Sequence, residues 1–271
     1  MARVSVGAES RMFSAADAYE RFMGRWSRKL APRLVRFAGI GEQADEAILD
    51  VGCGTGALTL AVAAHAPATR IVGVDRSSPY VEFARAHFTG DRIRFEEGDA
   101  LALPFPEASF DRTLSLLILN FVADPRKALA EMRRVTRPGG TVAAAVWDYG
   151  EGMEMLRRFW DEVLALDPTS EARDERHMPL SRSGELAELW QQQGLQQVAS
   201  EALTIETHFT SFDDYWAPFL EKQGPAGAYV ALMEAGDRAA LRTRLRERLA
   251  GGSDDRAIRL TARAWAVRGV V

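Results

Sequence analysis

A chain of 271 residues, 47% of them hydrophobic, buries a full core and sits at the upper edge of what one α/β domain holds. The formal net charge of -4, with 34 Lys and Arg scattered along the chain, argues against a nucleic-acid backbone as partner. One cysteine allows no intrachain disulfide framework, and the start MARVSVGAES has no apolar signal core, so a reducing, cytoplasmic setting is expected.

In chain order, residues 9–38 read as an amphipathic helix, with Phe13, Tyr19, Phe22, Met23, Trp26, Leu30 and Leu34 at helical spacing. Gly24 stands as a break in that run. Short apolar runs follow at 48–51, 71–74, 93–95, 114–116 and 141–147, separated by helical stretches. Strands alternating with helices indicate βαβ units and a parallel sheet. Punctuation places the helices. The alanine-rich stretch 56–66 stops before Pro67, while Ser78-Pro79 and Asp124-Pro125 supply a cap and a first-turn proline for 81–87 and 128–135. Arg137-Pro138-Gly139-Gly140 is a stop signal for the latter.

Beyond Trp147, 153–166 and 183–193 read as helices, with strands at 198–205 and 258–267. The longest apolar candidate, Leu114 to Ala123, is broken by Ser115 and Asn120 and falls short of the roughly 18–20 residues that cross a bilayer, so no membrane span is expected. Between the last two strands, about 207–255 forms an insertion ending in a leucine stripe (Leu241, Leu245, Leu249), its arginines fanned into a solvated face.

The run ILDVGCGTGAL, Ile48 to Leu58, places three glycines at alternate positions between a strand and a helix. Such a turn offers free N–H groups at a helix start and lets a ligand lie against bare backbone. The spacing is G-x-G-x-G, not the G-x-G-x-x-G of dinucleotide enzymes, and no Lys-Ser/Thr element completes a phosphate loop. Asp75 closes the next strand, where a carboxylate can accept both ribose hydroxyls. A nucleoside is favoured, and a pyrophosphate is not required.

With LDVGCGTG, VGVDRS, FEEGDALALPFPEASFD and ALAEMRRVTRPGG in order over residues 47–147, the chain resembles the class I S-adenosylmethionine-dependent methyltransferases. The likeness is to the small-molecule branch related to ubiquinone and menaquinone biosynthesis. That resemblance implies an α/β fold: a Rossmann-like three-layer sandwich with a mostly parallel seven-stranded sheet and an antiparallel last strand. An N-terminal helical lid and a helical insertion between strands six and seven complete it. It implies a single domain over 1–271, divided into a lid (1–44), a cofactor-binding half (45–149) and a C-terminal half (150–271).

The cofactor implied is S-adenosyl-L-methionine, and the contacts follow position by position. Gly52, Gly54 and Gly56 form the loop against its methionyl and ribose parts, Asp50 lies close to the α-amino group, and Asp75 holds the ribose. Asp99 accepts the adenine amine, the Ala100 N–H serves a ring nitrogen, Arg76 and Leu101 sandwich the adenine, and Leu116 lines the methionyl side. By its loop position Cys53 is packing rather than a nucleophile, since no base stands in phase with it.

Methyl transfer from a sulfonium is an in-line displacement in which alignment and exclusion of water do much of the work. A general base is optional, and no catalytic residue is singled out. His65 and His87 read as surface residues, while His177 and His208 are candidates for facing a cleft. Nothing in the pattern calls for a metal ion. The expected partner is a small-molecule methyl acceptor, apolar or aromatic. A nucleic-acid methyltransferase would carry an Asn/Asp-Pro-Pro-aromatic turn after the fourth strand, where this chain reads LLILNFVADP. A protein methyltransferase and a non-catalytic cofactor-binding protein stay open as alternatives.

Two segments are candidates for closing the site. In YERFMGRWSRKLA, Arg25 is positioned to pair with the methionyl carboxylate, and Tyr19 and Trp26 to wall the sulfonium. In the insertion, Tyr215 and Trp216 are candidates, with Trp147, for an apolar wall against the acceptor. The competing reading of Phe212, Tyr215, Trp216 and Phe219 is a single helix stripe packed into a core.

Overall fold

The computed structural model describes residues 16–88 and 90–271; Phe13 and the first residues of the expected 9–38 helix lie outside them. From Ala16, the first described residue, the backbone is helical, and it widens into a π-turn at Glu20–Gly24 before helix α1, Arg25–Phe37. Leu30, Ala31, Leu34 and Val35 recur at helical spacing and are wholly buried, which is the stripe that fixes α1 to its neighbours. Gly24 does not break the run: its φ of -57° and ψ of -40° are helical. It is glycine because a Cβ there would come within 2.5 Å of the Glu20 carboxylate.

From there strand and helix alternate: β1 (Ala47–Val51), α2 (Ala57–His65), β2 (Arg70–Asp75), α3 (Ser78–His87), β3 (Ile93–Glu97), β4 (Phe110–Leu116), α4 (Pro125–Val135) and β5 (Thr136–Trp147). Later come α5 (Glu154–Leu166), α6 (Glu185–Gln192), β6 (Gln196–Phe209), α7 (Phe212–Trp216), α8 (Gly224–Leu232), α9 (Ala235–Ala250) and β7 (Ile258–Val270). The seven strands lie in the order β3-β2-β1-β4-β5-β7-β6, mostly parallel, with β7 antiparallel. Strands β1 and β2 are nearly all apolar because both their faces are covered, as in other parallel sheets. The chain runs outward from β1 to β3 and returns at β4, so β1 and β4 are parallel neighbours at the point where winding reverses. Open α/β sheets bind ligands outside the carboxyl ends of the strands at that switch point.

Helix α4 starts as its punctuation predicts, the Asp124 side chain accepting from Lys127 N–H at 3.0 Å ahead of Pro125. Its end differs. The helix stops at Val135, and the 137–140 segment is already strand, with Gly139 at φ +75° and a register shift between Phe110 and Arg112 on β4. The Gly139 N–H and the Gly140 carbonyl bond Val271, and this pairing, available only in the folded chain, draws the expected loop into the sheet.

The residues group into two compact units, one running to Val146 with Ser183–Leu203 and Trp265–Val271, the other Trp147–Arg182 with Thr204–Ala264. The second unit has an aromatic centre in which Phe159 and Phe219 stack with centroids 4.6 Å apart. Leu241 and Leu245 of α9 are buried as predicted. The α9 arginines form less of a solvated face than expected: Arg244 and Arg248 both bond Glu162, and Arg242 pairs with Asp213. These carboxylates come from distant parts of the sequence, so spacing within the helix carries no trace of them.

Candidate functional site

At the carboxyl end of β1 the chain must turn within two residues, and the glycines permit it. Gly52 (φ +74°) presses so closely on the β4–α4 turn that a Cβ would lie 2.4 Å from Ile118, whereas a Cβ on Gly54 (φ +52°) would meet nothing within 4 Å. One glycine is required by packing. The other faces open space. The loop is tied to β2: the Gly52 and Cys53 N–H groups both donate to the Val74 carbonyl, at 2.7 and 3.0 Å, and the Gly54 N–H donates to Asp75 Oδ2 at 2.9 Å. Asp75 Oδ1 accepts from Ser77 N–H at 2.8 Å.

That space is a cavity of about 150 Å3. Its walls are the glycine loop, residues at the ends of β1, β2 and β4 and near the starts of α2 and α3, and Tyr19 and Ser27 from before and within α1. Leu117 at the end of β4 takes a left-handed backbone (φ +66°), and a turn closed by Phe121 N–H to the Ile118 carbonyl brings Ile118 and Phe121 to the cavity. Such a conformation in a bulky residue costs about 1–2 kcal/mol and concentrates at functional sites. Phe121 is 54% exposed.

Asp50 lines the same cavity and is 1% exposed. Its Oδ2 accepts from both the N–H and the hydroxyl of Thr59, at 3.0 and 2.7 Å, so this strand residue caps α2, whose own cap, Gly56, has no side chain to do so. Its Oδ1 is buried with no partner. Burial raises the Asp50 carboxyl to about 7 despite the Thr59 bonds, with a further push from the charge of Asp75. Asp75 is raised as well, by burial, which its backbone N–H partners partly offset. Cys53 is pushed well up by burial and by both aspartates, and it packs against Val81, Ala84 and Phe95, the environment of an inert thiol.

Of the residues singled out from sequence, Tyr19, Asp50, Gly52, Gly54, Asp75 and Leu116 line this one cavity. Gly56, Arg25, Trp26, Arg76, Asp99, Ala100 and Leu101 are not among its lining residues. The Arg25 guanidinium lies over the adjacent Trp26 ring at 4.4 Å, and Trp26 is buried in the core beneath it. Asp99 Oδ1 accepts from Leu101 N–H at 2.9 Å, and Ala102 N–H bonds the Asp99 carbonyl, so the side chain shapes its own turn.

Besides apolar residues such as Leu117, Ile118 and Phe121, three hydroxyl-bearing cavity residues are absent from the sequence reading: Thr55, Ser27 and Tyr80. Tyr80 had a legible signal, an aromatic in the first helical turn just after Asp75; its ring lies 5.6 Å from that of Tyr19. Ser27 had none: its hydroxyl donates to the Met23 carbonyl, the ordinary back-bond of a helical serine, and lies 3.3 Å from Tyr19 Oη.

Histidines stay away from the cavity. His65 and His87 bond backbone carbonyls, of Ile40 and Phe83, and His177 and His208, expected as cleft candidates, lie exposed elsewhere. The acceptor wall is likewise corrected. Trp147, Tyr215 and Trp216 are all buried, and the Tyr215 hydroxyl donates to the Met155 carbonyl at 2.9 Å while its ring meets Phe209 and Phe219. The helix stripe packs a core, because burying four large aromatics outweighs leaving one face for a ligand.

A parallel sheet wound outward and back carries a glycine turn at its switch point and two strand-end carboxylates around one cavity, and these are features of the region where the chain is similar to known methyltransferases. Residues 49–144 match the family described as Methyltransferase domain. The chain is 42% identical over 119 residues to the demethylmenaquinone methyltransferase of Thermus thermophilus, covering 43% of this chain and 51% of that protein. It thus spans about half the length of the curated relatives it matches. The fold is shared with the YcgJ protein of Bacillus subtilis (TM-score 0.57, 20% identity, 89% of this chain and 97% of that one). It is shared too with phosphoethanolamine N-methyltransferase 2 of Haemonchus contortus, solved with S-adenosylhomocysteine (TM-score 0.58, 17% identity, 95% and 57%).

The residues present fit the cofactor. An orphaned buried carboxylate oxygen on Asp50 suits an ammonium group, and a glycine whose Cβ would enter open space leaves room for ribose. No helix among the described residues is long and apolar enough to cross a membrane.

Proposed function

We propose that this protein transfers a methyl group from S-adenosylmethionine to a small apolar or aromatic acceptor. The observation that carries the reading is the convergence of Asp50, Gly54 and Asp75 on one cavity that Leu116, Leu117, Ile118 and the 54% exposed Phe121 also line. When bound, the cofactor supplies an already activated methyl group on a sulfonium. Asp50 holds the ammonium of its tail and Asp75 its ribose hydroxyls, while Tyr19 covers the sulfonium with an aromatic face. With no histidine lining the cavity, alignment and exclusion of water do the work assigned elsewhere to a base. The likeness to a demethylmenaquinone methyltransferase supports a planar, apolar acceptor stacked on Phe121.

A volume of about 150 Å3 is below the roughly 300–1,000 Å3 of ordinary small-molecule clefts. We therefore read the Tyr19–Ser27 segment, whose Tyr19 and Ser27 line the cavity, as a lid that moves outward to admit a nucleoside with an amino-acid tail. The test is transfer of label from S-[methyl-3H]adenosylmethionine to a panel of quinols, phenols, amines and fatty acids. Labelling of quinols or phenols supports the reading. Labelling of amines or fatty acids alone overturns the acceptor class, and retention of bound cofactor with no transfer to any of them makes the chain a binding protein.

A further inference from the structure

One carboxylate already sits on the glycine loop. Thr55, which lines the cavity beside Gly54, donates its hydroxyl to Glu20 Oε1 at 2.5 Å, across 35 residues of sequence. The other oxygen of Glu20 pairs with Arg28 one helical turn beyond the π-turn. Everything around this contact is arranged to allow it. The π-turn Glu20–Gly24 offsets the helix, and such turns concentrate at functional sites. Gly24 leaves bare the space in which the Glu20 carboxylate lies. Asp50, which lines the same cavity, carries a buried oxygen with no hydrogen-bond partner.

The cofactor tail carries an ammonium and a carboxylate on one carbon, so a tail whose ammonium meets Asp50 needs a hydroxyl and a cation close by for its other end. Thr55 and Arg28 are that pair, and Glu20 holds both.

We infer that Thr55 and Arg28 form the seat for the cofactor's methionyl carboxylate, and that Glu20 is an internal carboxylate which the incoming one displaces. The inference rests on the cofactor reading above and gives the carboxylate a different cation from Arg25. Exchanging one carboxylate for another on the same donors keeps those donors satisfied throughout and couples entry of the tail to release of the N-terminal segment.

The test is calorimetric binding to wild type, Glu20→Ala, Glu20→Gln and Thr55→Val of three nucleosides: S-adenosylhomocysteine, its decarboxylated analogue, which keeps the amine, and 5′-methylthioadenosine, which has neither group. Removing a competitor that occupies the seat most of the time raises apparent affinity by the inverse of the free fraction. S-adenosylhomocysteine should therefore bind Glu20→Ala about three- to tenfold more tightly, and Glu20→Gln by a smaller factor, while the other two nucleosides keep their wild-type affinities. Thr55→Val should weaken S-adenosylhomocysteine alone, by about tenfold.

Equal changes for all three ligands would reduce Glu20 to a structural latch. Weaker S-adenosylhomocysteine and decarboxylated analogue in Glu20→Ala, with 5′-methylthioadenosine unchanged, would make Glu20 the partner of the ammonium. Either result, or no change at all, overturns the inference. Should Glu20→Ala fail to fold, the neutral and nearly isosteric Glu20→Gln decides by the same comparison. Wild type that binds none of the three nucleosides overturns the cofactor reading itself, a distinct failure.

Discussion

Asp75 Oδ2 accepts the N–H of Gly54 at 2.9 Å, so the carboxylate at the end of β2 holds in place the middle glycine of the loop that ends β1. The residue proposed for the ribose is thus also the residue that shapes the loop. Loss of a carboxylate holding two hydroxyls costs about 2–3 kcal/mol of binding, on the order of a 30- to 150-fold weaker dissociation constant. Asp75→Ala is expected to show at least that loss for S-adenosylhomocysteine in calorimetry. Asp75→Asn, which keeps one acceptor oxygen, should lose less. Equal, small effects of the two would remove the ribose assignment.

Gly52 and Gly54 separate packing from ligand space. Both have positive φ, so alanine at either costs about 1 kcal/mol of backbone strain. At Gly52 the new methyl would also lie 2.4 Å from Ile118, adding the roughly 1–3 kcal/mol of an overpacked core. Gly54→Ala should therefore unfold close to the wild-type denaturant midpoint yet lose cofactor binding, and Gly52→Ala should lose both. Normal binding by Gly54→Ala would place the ligand elsewhere.

The Asp50 carboxyl, raised by burial from 3.8 to about 7, gives binding a pH signature. The fold favours its neutral form, so its contribution to stability is present below pH 3.8 and is lost as pH rises through about 7. A cationic ammonium beside Oδ1 favours the charged form and lowers that value. Between about pH 5 and 7 cofactor binding should then release protons, seen as a dependence of calorimetric enthalpy on buffer ionisation, and affinity should rise to a plateau above about pH 8. Asp50→Asn should abolish the release. Proton uptake on binding, or an affinity flat with pH, would separate Asp50 from the ammonium.

In the second unit, Glu175 is raised to about 7 by burial while accepting from the Trp160 indole N–H and, at 3.3 Å, from Ala226 N–H. Ionisation of a carboxylate in contact with an indole alters its emission. A tryptophan fluorescence titration is expected to show a step near pH 7 that Glu175→Gln removes; a step that survives in the variant would have another source.

Phe219, stacked on Phe159 and wholly buried, is expected to be structural. Phe219→Ala should lower stability by about 3–5 kcal/mol in denaturant melts. A fully stable variant would return the aromatic stripe to consideration as a ligand wall.

Local rules made much of this protein legible. Apolar runs between punctuated helices implied the parallel sheet, because a strand covered on both faces has no need of polar alternation. The glycine turn and the carboxylates at 50 and 75 could be found because a backbone turn and a strand-end charge impose their requirements within a few residues. Beyond that range the sequence was silent. Arg25, Trp26, Asp99 and the residues beside it are of suitable type, yet they stack, pack or turn upon their immediate neighbours. Thr55 meets Glu20, Tyr80 meets Tyr19, and the α9 arginines meet Glu162 only after distant segments are brought together. The aromatic stripe at 212–219 has the same spacing whether it faces a ligand or a core, and the choice was made by the partners available to it: Phe159 for stacking and the Met155 carbonyl for a hydroxyl. Periodicity specifies which residues share a face. What that face meets is decided by tertiary packing, where the desolvation of each polar group is offset by a partner from any part of the chain.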